Sequence, residues 1–339
     1  MESRQWILDS RPTGEPTMEN FELETVELPD LGAREVLVRT LYQSVDPYMR
    51  GRMRDAESYA EPWDVGEPMK AGVVGEVVDS EHPTFDQGDV VTGELLWADY
   101  AVADGDELRG VNPSLAPVST ALGVLGMPGV TAYYGLLDVG DPSPGETVVV
   151  NAAAGAVGSV VGQVAKLAGC HVVGIAGADE KIEWLEDELG FDAGINYKTE
   201  DVRSRLQAET DGVDVYFDNV GGDVTDAVWP LLNVRCRVVV CGQISLYNAT
   251  ETPVGPRKLG QLITTRGTVE GVLVRDYAPE RWAEAISQLG EWVGSGDLGY
   301  RENVVEGLEN APDAFLGLFE GVNVGKQLVQ VAEAEYADI

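Results

Sequence analysis

Two textures divide the chain. Up to about residue 125, short runs alternate apolar and polar positions and are broken by Gly, Pro and Asp: EVLVRTLYQSV, AGVVGEVVD, GDVVTG and WADYAVAD. A period of two bounded by turn residues predicts half-buried strands, here at the spacing of a β-barrel. From about 128 the texture changes. VTAYYGLLDVG predicts a helix, and PSPGETVVVNAA a turn leading into a buried strand. GAVGSVVGQVAKLAG (helix), HVVGIAG (strand), DEKIEWLEDELG (helix) and INY (short strand) follow. DVRSRLQAET (helix), GVDVYFDNV (strand), DAVWPLL (helix) and RCRVVVCGQIS (strand) continue the series. Strands that are apolar throughout and alternate with helices predict an α/β unit, with a parallel sheet covered on both faces. After about 298 the pattern returns to irregular β-like segments ending in NVGKQLVQVAE. At 339 residues the chain exceeds what one core organises, so two domains are expected. The texture places one at 1–125 with 299–339, and the other at 126–298.

Composition narrows the partners. The chain carries 58 Asp and Glu against 23 Lys and Arg, a net charge of −35. A phosphate backbone needs a basic footprint, so nucleic acid is not an expected partner, and an anionic membrane surface would repel the protein. The acids are scattered and only six of the basic residues are lysine, a pattern suited to a high-salt cytoplasm where screening removes self-repulsion. Cys170, Cys236 and Cys241 cannot all pair and match no metal spacing; they read as reduced thiols of a cytoplasmic protein. The opening MESRQWILDSRPTGEP has no apolar core of the signal-peptide kind. The long apolar window VVVNAAAGAVGSVVGQVAKLAGC is interrupted by glycines, Asn151 and Lys166, which argues against a membrane span.

That window holds the first chemical motif. In VVVNAAAGAVGS, Ala152, Gly155 and Gly158 form an A-x-x-G-x-x-G turn between a buried strand and a helix. Glycine there lets backbone approach a pyrophosphate, which then sits at the positive end of the helix. A glycine triplet alone could serve helix–strand packing, but strand, turn, helix and next strand fall in order over 147–176. The second strand of such a unit ends, in an NAD enzyme, at an acid that holds the adenosine ribose. Here it ends IAG, with Gly177 and Ala178 at that place. Asp179 and Glu180 come later, where acids favour the helix dipole. Lys181 follows and offers a cation to the 2′-phosphate of NADP; the plainer reading is a surface lysine paired with Glu180 or Glu183.

Several further motifs occur in order along nearly the whole chain. They are SVDPYMRGRM, GMPGVTAYYGLLDVG, AAAGAVGSVVGQVAK, GIAGADEK, FDAGINYK, YFDNVGG, CGQISLYN, GPRKLGQLITTRGTVEG and NVGKQLV. Together they resemble the zinc-free medium-chain reductases that act on carbon–carbon double bonds. That family includes leukotriene B4 12-hydroxydehydrogenase/prostaglandin reductase, alkenal double-bond reductase and curcumin reductase. The resemblance implies a GroES-like β-barrel domain plus a Rossmann domain, a doubly wound parallel sheet, with NADP(H) as cofactor and a homodimer as the assembly. It implies that Gly155, Ala156, Val157 and Gly158 carry the pyrophosphate and that Lys181 and Tyr197 hold the 2′-phosphate. Asn219 then lies near the cofactor ribose. Cys241, Gly242, Gln243, Ile244, Ser245 and Tyr247 run along the nicotinamide side, as do Val272, Leu273 and Val274. Asn323 bonds the nicotinamide end, and Tyr48 lines the substrate pocket. Two departures stand near that pocket: Leu246 where the family often has Gln, and GVLVRDY without the aromatic that commonly follows its glycine.

The reaction so implied is hydride transfer from NADPH to the β-carbon of an α,β-unsaturated ketone or aldehyde, the small-molecule partner. Charge then develops on the carbonyl oxygen and needs a preplaced donor. Tyr247 is the expected catalytic donor, the alternative being a residue that only braces the nicotinamide. No metal is expected. Catalytic zinc wants Cys, His or carboxylate ligands around an open position, yet the barrel half has no cysteine, His82 sits in a turn-like stretch and His171 opens a strand. The rival readings are an NADPH quinone oxidoreductase and a non-catalytic NADPH-binding protein.

Overall fold

Alternation in the first third of the chain becomes an antiparallel sheet in a computed structural model that describes residues 1–337. Strands β1 (Glu2–Leu8) and β2 (Phe21–Glu27) pair with each other. Strands β3 (Glu35–Ser44), β4 (Lys70–Ser80), β5 (Val90–Leu96), β6 (Tyr100–Asp104) and β7 (Arg109–Gly110) belong to a larger sheet. It also takes in β14 (Glu302–Glu306) and β15 (Lys326–Gln330). The order is β14-β15-β3-β4-β5-β7, and β6 pairs with β3 off that path. Along β3 the period of two holds: Val36 and Val38 are fully buried while their neighbours stay partly exposed. The short helix α1 (Met49–Arg52) buries Met49 into a cluster with Trp6, Trp97 and Phe315.

Beyond 298 the expected β-like reading holds for β14 and β15 but not for the stretch between them. APDAFLGLFE is an α-helix, α9 (Ala311–Glu320), which buries Phe315 and Leu318 in that same cluster. Its proline lies in the first turn, where the missing N–H costs nothing, and Gly321 at φ 69° ends it in the left-handed conformation.

The second unit is built on TVVVN, β8 (Thr147–Asn151). Val148 and Val150 pack into the core on one face of the sheet and Val149 into the core on the other. Its three central positions are therefore all apolar, because a strand covered on both sides has no solvent face. The remaining strands are β9 (His171–Ala176), β10 (Ala193–Asn196), β11 (Val213–Asp218), β12 (Leu232–Val240) and β13 (Thr268–Gly271). All pair in parallel, in the order β10-β9-β8-β11-β12-β13. This is the doubly wound arrangement, with its switch point between β8 and β11. Helices α2 (Met127–Tyr134), α3 (Gly158–Leu167), α4 (Asp179–Glu183), α5 (Val202–Glu209), α6 (Gly222–Val228), α7 (Gln261–Thr265) and α8 (Pro279–Ser295) accompany it. Two expected boundaries move. RCRVVVCGQIS leaves the strand after Val240, and DAVWPLL tightens to a 3₁₀ turn at Trp229–Leu231 before β12 begins.

By contact the chain divides at 122/123 and 301/302, and residues 324–326 group with the second unit. Among the described residues no helix is long and apolar enough to cross a membrane.

Candidate functional site

The carboxyl ends of β9, β8, β11 and β12 gather most of the residues singled out in the sequence. Directly after β8, Ala152 adopts φ 44°, a left-handed conformation that a residue with a Cβ enters only under constraint. The constraint is local: Gly155 N–H donates to Ala152 O at 2.9 Å, and Ala153 N–H to Ile175 O at 3.0 Å. A Cβ on Gly158 would overlap Ala152 O and stand 2.8 Å from Ala153 Cα, so only glycine lets α3 start this close to the turn. Gly155, Ala156 and Val157 remain half-buried at the amino end of the ten-residue helix α3. The N–H groups of Ala156 and Val157 and the helix dipole make that end a seat for a phosphate.

A second group forms where β9 ends. Asn196 Nδ2 donates to the Asp179 carboxyl at 2.6 Å, so the first acid after the strand is drawn toward β10. Gly177 faces Tyr197: a Cβ there would come within 2.9–3.0 Å of the phenol ring and hydroxyl. Lys181, in α4, is partly buried, and its ammonium lies below the usual lysine range. Burial is the larger cause and the nearby Lys198 ammonium the next, with Glu180 opposing. Lys198 was not among the sequence candidates. Two of the six lysines thus repel each other, an arrangement that a doubly charged anion would relieve.

The third group lies under the switch point. Asp218, the last residue of β11, is 1% exposed. Its Oδ1 accepts Asn151 Nδ2 at 2.7 Å, Gly221 N–H at 2.9 Å and Val220 N–H at 3.0 Å, and its Oδ2 accepts the Thr225 hydroxyl at 2.8 Å. These bonds fold DNVGG into a tight loop in which Gly221 and Gly222 both take positive φ, 69° and 60°. The segment after β12 is tied to that loop. Cys241 and Gly242 donate N–H groups to Asp218 O at 2.9 and 3.1 Å, and Ser245 Oγ donates to Val220 O at 2.6 Å. Tyr247 turns back over the segment, its hydroxyl accepting Gln243 N–H at 3.2 Å. Burial pushes the Tyr247 phenol above the usual tyrosine range, and burial with Asp218 pushes the Cys241 thiol up to about 12. Both groups are therefore protonated near neutrality.

The other sequence candidates take separate places. Val272 N–H bonds Val240 O at 3.1 Å, and Leu273 is half-buried beside it. Val274 is 6% exposed and packs with Val130, Tyr134 and Ala285. Ile244 begins a 3₁₀ turn, Ile244–Leu246. Tyr48 and Asn323 belong to the first unit. Of the two histidines, His82 contacts Arg34 and Asp106, and His171 contacts Asp192 and Glu209 O. Among the described residues no three His, Cys, Asp or Glu side chains converge as a metal site would require. Asn151, read in the sequence only as an interruption of an apolar run, and Asp218 went unnoticed there; a polar residue closing a buried strand was the available signal.

Comparison with known proteins places this geometry. Residues 4–111 match a family model described as the N-terminal domain of oxidoreductase, and residues 156–291 one described as zinc-binding dehydrogenase. The NADPH-dependent curcumin reductase of Escherichia coli is 47% identical over 335 residues, covering 97% of each chain. The NADP(+)-dependent 2-alkenal reductase of Nicotiana tabacum is 42% identical, covering 97% of this chain and 98% of that protein. The crystal structure of CurA from Vibrio vulnificus in complex with NADPH superposes with a TM-score of 0.93 at 48% identity, covering 98% of this chain and 100% of that one.

Proposed function

Since the chain belongs to the zinc-free double-bond reductases of the medium-chain dehydrogenase/reductase family, we propose that it reduces α,β-unsaturated aldehydes and ketones with NADPH. The observation that carries the cofactor choice is the lysine pair: Lys181 and Lys198 follow β9 and β10, close enough for one charge to act on the other. In this reading Lys181, Lys198 and Tyr197 hold the 2′-phosphate. Gly155, Ala156, Val157 and Gly158 carry the pyrophosphate, and Asn219 and the Cys241–Tyr247 segment, with Val272, Leu273 and Val274, border the nicotinamide half. The residues fit the group, since the half-buried Gly155, Ala156 and Val157 head helix α3, whose amino end suits a pyrophosphate, and two lysines near the ends of β9 and β10 suit a third phosphate.

When bound, NADPH supplies the hydride that goes to the β-carbon. The protein's task is to manage the charge and the proton. Tyr247, held protonated by burial and braced by Gln243 N–H, donates a hydrogen bond to the carbonyl oxygen as negative charge grows there. The α-carbon takes a proton from the Tyr247 hydroxyl or from water, so that the carbon–carbon double bond becomes single and one C–H bond forms at each carbon. Cys241, with its thiol pushed to about 12, is too weak an acid to act as a thiolate nucleophile. Tyr48 and Asn323 are assigned to the substrate and nicotinamide ends by family resemblance.

The assembly in this reading is a homodimer. Strand β13 ends its sheet, paired with β12 on one side and with all four residues exposed, and the exposed apolar side chains of Val254, Leu259 and Ile263 precede it in the chain. An edge of this kind is covered in solution or it aggregates. The acid-rich surface suits a cytoplasm of high ionic strength.

Parallel steady-state assays with NADPH and NADH on a linear 2-alkenal, a cyclic enone and a quinone test the function. Turnover of the alkenal or enone with NADPH supports it. NADPH binding without turnover of any acceptor, or equal use of NADH, overturns it. Light scattering over a range of KCl concentrations tests the dimer and the salt requirement together.

A further inference from the structure

Asn151 is fully buried at the end of β8, where each polar atom of its side chain is committed. Its Nδ2 donates to the Tyr216 hydroxyl at 2.5 Å and to Asp218 Oδ1 at 2.7 Å. Its Oδ1 accepts the N–H of Asn219 at 2.6 Å, and its main-chain oxygen accepts Asn219 Nδ2 at 2.9 Å. One residue therefore grips its neighbour twice, by backbone and by side chain. We propose that Asn151 is a positioning residue of the nucleotide site, fixing the Asn219 amide with its oxygen turned outward to receive a ribose hydroxyl.

The orientation follows from chemistry. A main-chain carbonyl can only accept, so the atom of Asn219 that faces Asn151 O must be the amide nitrogen. The remaining polar atom of the half-buried Asn219 side chain is an acceptor, Oδ1. A partner of Oδ1 must be a donor, and a sugar hydroxyl is one; a phosphate or carboxylate is not. Strand order says which sugar. Lys181 and Lys198 stand at the ends of β9 and β10 on one side of β8, and Asn219 follows β11 on the other. A dinucleotide with its 2′-phosphate at the lysines and its pyrophosphate over the turn after β8 reaches β11 with its nicotinamide ribose. The buried network beneath serves the same end. Tyr216, Asp218 and Thr225 leave Asn151 a single rotamer, and a satisfied buried network is rigid.

This inference rests on the NADP reading of the site, and its test separates the two. Affinities of NADPH and of adenosine 2′,5′-bisphosphate, which ends before the nicotinamide ribose, are measured for wild type, Asn151→Ala, Asn219→Ala and the double variant. Each single change is expected to weaken NADPH about five- to tenfold, the worth of one hydrogen bond. The double variant should be no weaker than the singles, because both act through one contact. The bisphosphate should bind all four proteins alike. Unchanged NADPH affinity in Asn151→Ala overturns the proposal, as do additive losses or a parallel loss of both ligands, the mark of a merely structural role. Wild type that fails to bind the bisphosphate overturns the nucleotide reading itself, and this inference with it. Should Asn151→Ala not fold, a crystal structure of the wild-type protein with NADP+ decides. Asn219 Oδ1 on a ribose hydroxyl with Nδ2 still on Asn151 supports the proposal, and an amide turned the other way overturns it.

Discussion

Tyr247 is bonded to Gln243 of its own segment as an acceptor, its hydroxyl taking the Gln243 N–H at 3.2 Å. That bond fixes the phenolic oxygen without consuming the phenolic proton. Replacement by Phe keeps the ring and removes the donor. With an alkenal substrate, kcat of Tyr247→Phe is expected to fall about 10²- to 10³-fold, the cost of losing one oxyanion donor. NADPH affinity should change little. Burial raises the phenol above its usual range, so the alkaline limb of the wild-type kcat profile should lie above pH 10 and vanish in the variant. The stability sign agrees. Above pH 10 the unfolded chain releases this proton before the folded one, so the contribution is full below 10 and is lost as pH rises through the folded value. A variant with kcat unchanged would reduce Tyr247 to a brace.

The lysine pair makes a prediction about cofactor choice. Lys181→Glu should lower kcat/KM for NADPH roughly 10- to 100-fold, the worth of a hydrogen bond to a charged group, and leave NADH nearly untouched. Lys198→Glu should act in the same direction but less, because Lys198 is exposed and its charge is screened. Since Lys181 titrates below the ordinary 10.5, KM for NADPH should begin to rise before pH 10.5, and Lys181→Arg should push that rise upward. In the ligand-free protein the sign reverses. Between the lowered value and 10.5 the unfolded chain holds more protons, so stability rises with pH across that window. Equal effects of Lys181→Glu on both cofactors would remove the 2′-phosphate assignment.

Gly177 offers a test that touches no charge. A methyl group there would stand 2.9–3.0 Å from the Tyr197 ring, and Tyr197, 46% exposed, can swing away at small cost. Gly177→Ala should therefore raise KM for NADPH several-fold while the melting temperature stays within about 2 °C of wild type. A large loss of stability with KM unchanged would make Gly177 a packing residue only.

How far these sites can be read from sequence depends on how local each is. The turn over 152–158 is local: strand, glycines and helix follow one another, and pattern alone orders them. Lys181 is legible for the same reason, since it follows the strand that the turn points to. Lys198 is not. It reaches Lys181 only because β9 and β10 run parallel with Ala176 opposite Asn196, and no local signal states a register between strands. Asn151 is hidden differently, since a polar residue within an apolar run carries no mark of what it bonds. The helix at Ala311–Glu320 is hard to read because a short apolar run has no decisive period. Pro312 and Gly321 are its start and stop signals.

Arg237 holds the turn that precedes β8. Its guanidinium donates to Gly140 O at 2.7 Å, to Asp141 O at 2.9 Å and to Glu146, bracing the turn that leads into β8 from a position on β12. Glu146 lies below the usual glutamate range, chiefly because of Arg237. A depressed carboxyl stabilises the fold above its unfolded value of 4.5, and that stability is lost as pH falls through the folded value, because the unfolded chain takes up the proton first. Glu146→Gln should therefore lower the melting temperature at pH 7 by about 2–4 °C, the effect of roughly 1 kcal/mol on a domain of this size. The deficit should shrink as pH is taken below 4.5. Arg237→Ala should cost more, since it also strips the two carbonyls of their donor, and its deficit should persist in acid. Thermal denaturation of both variants between pH 3 and 7 checks this. A deficit in Glu146→Gln that stays constant across that range would mean that Glu146 stabilises the fold by packing alone.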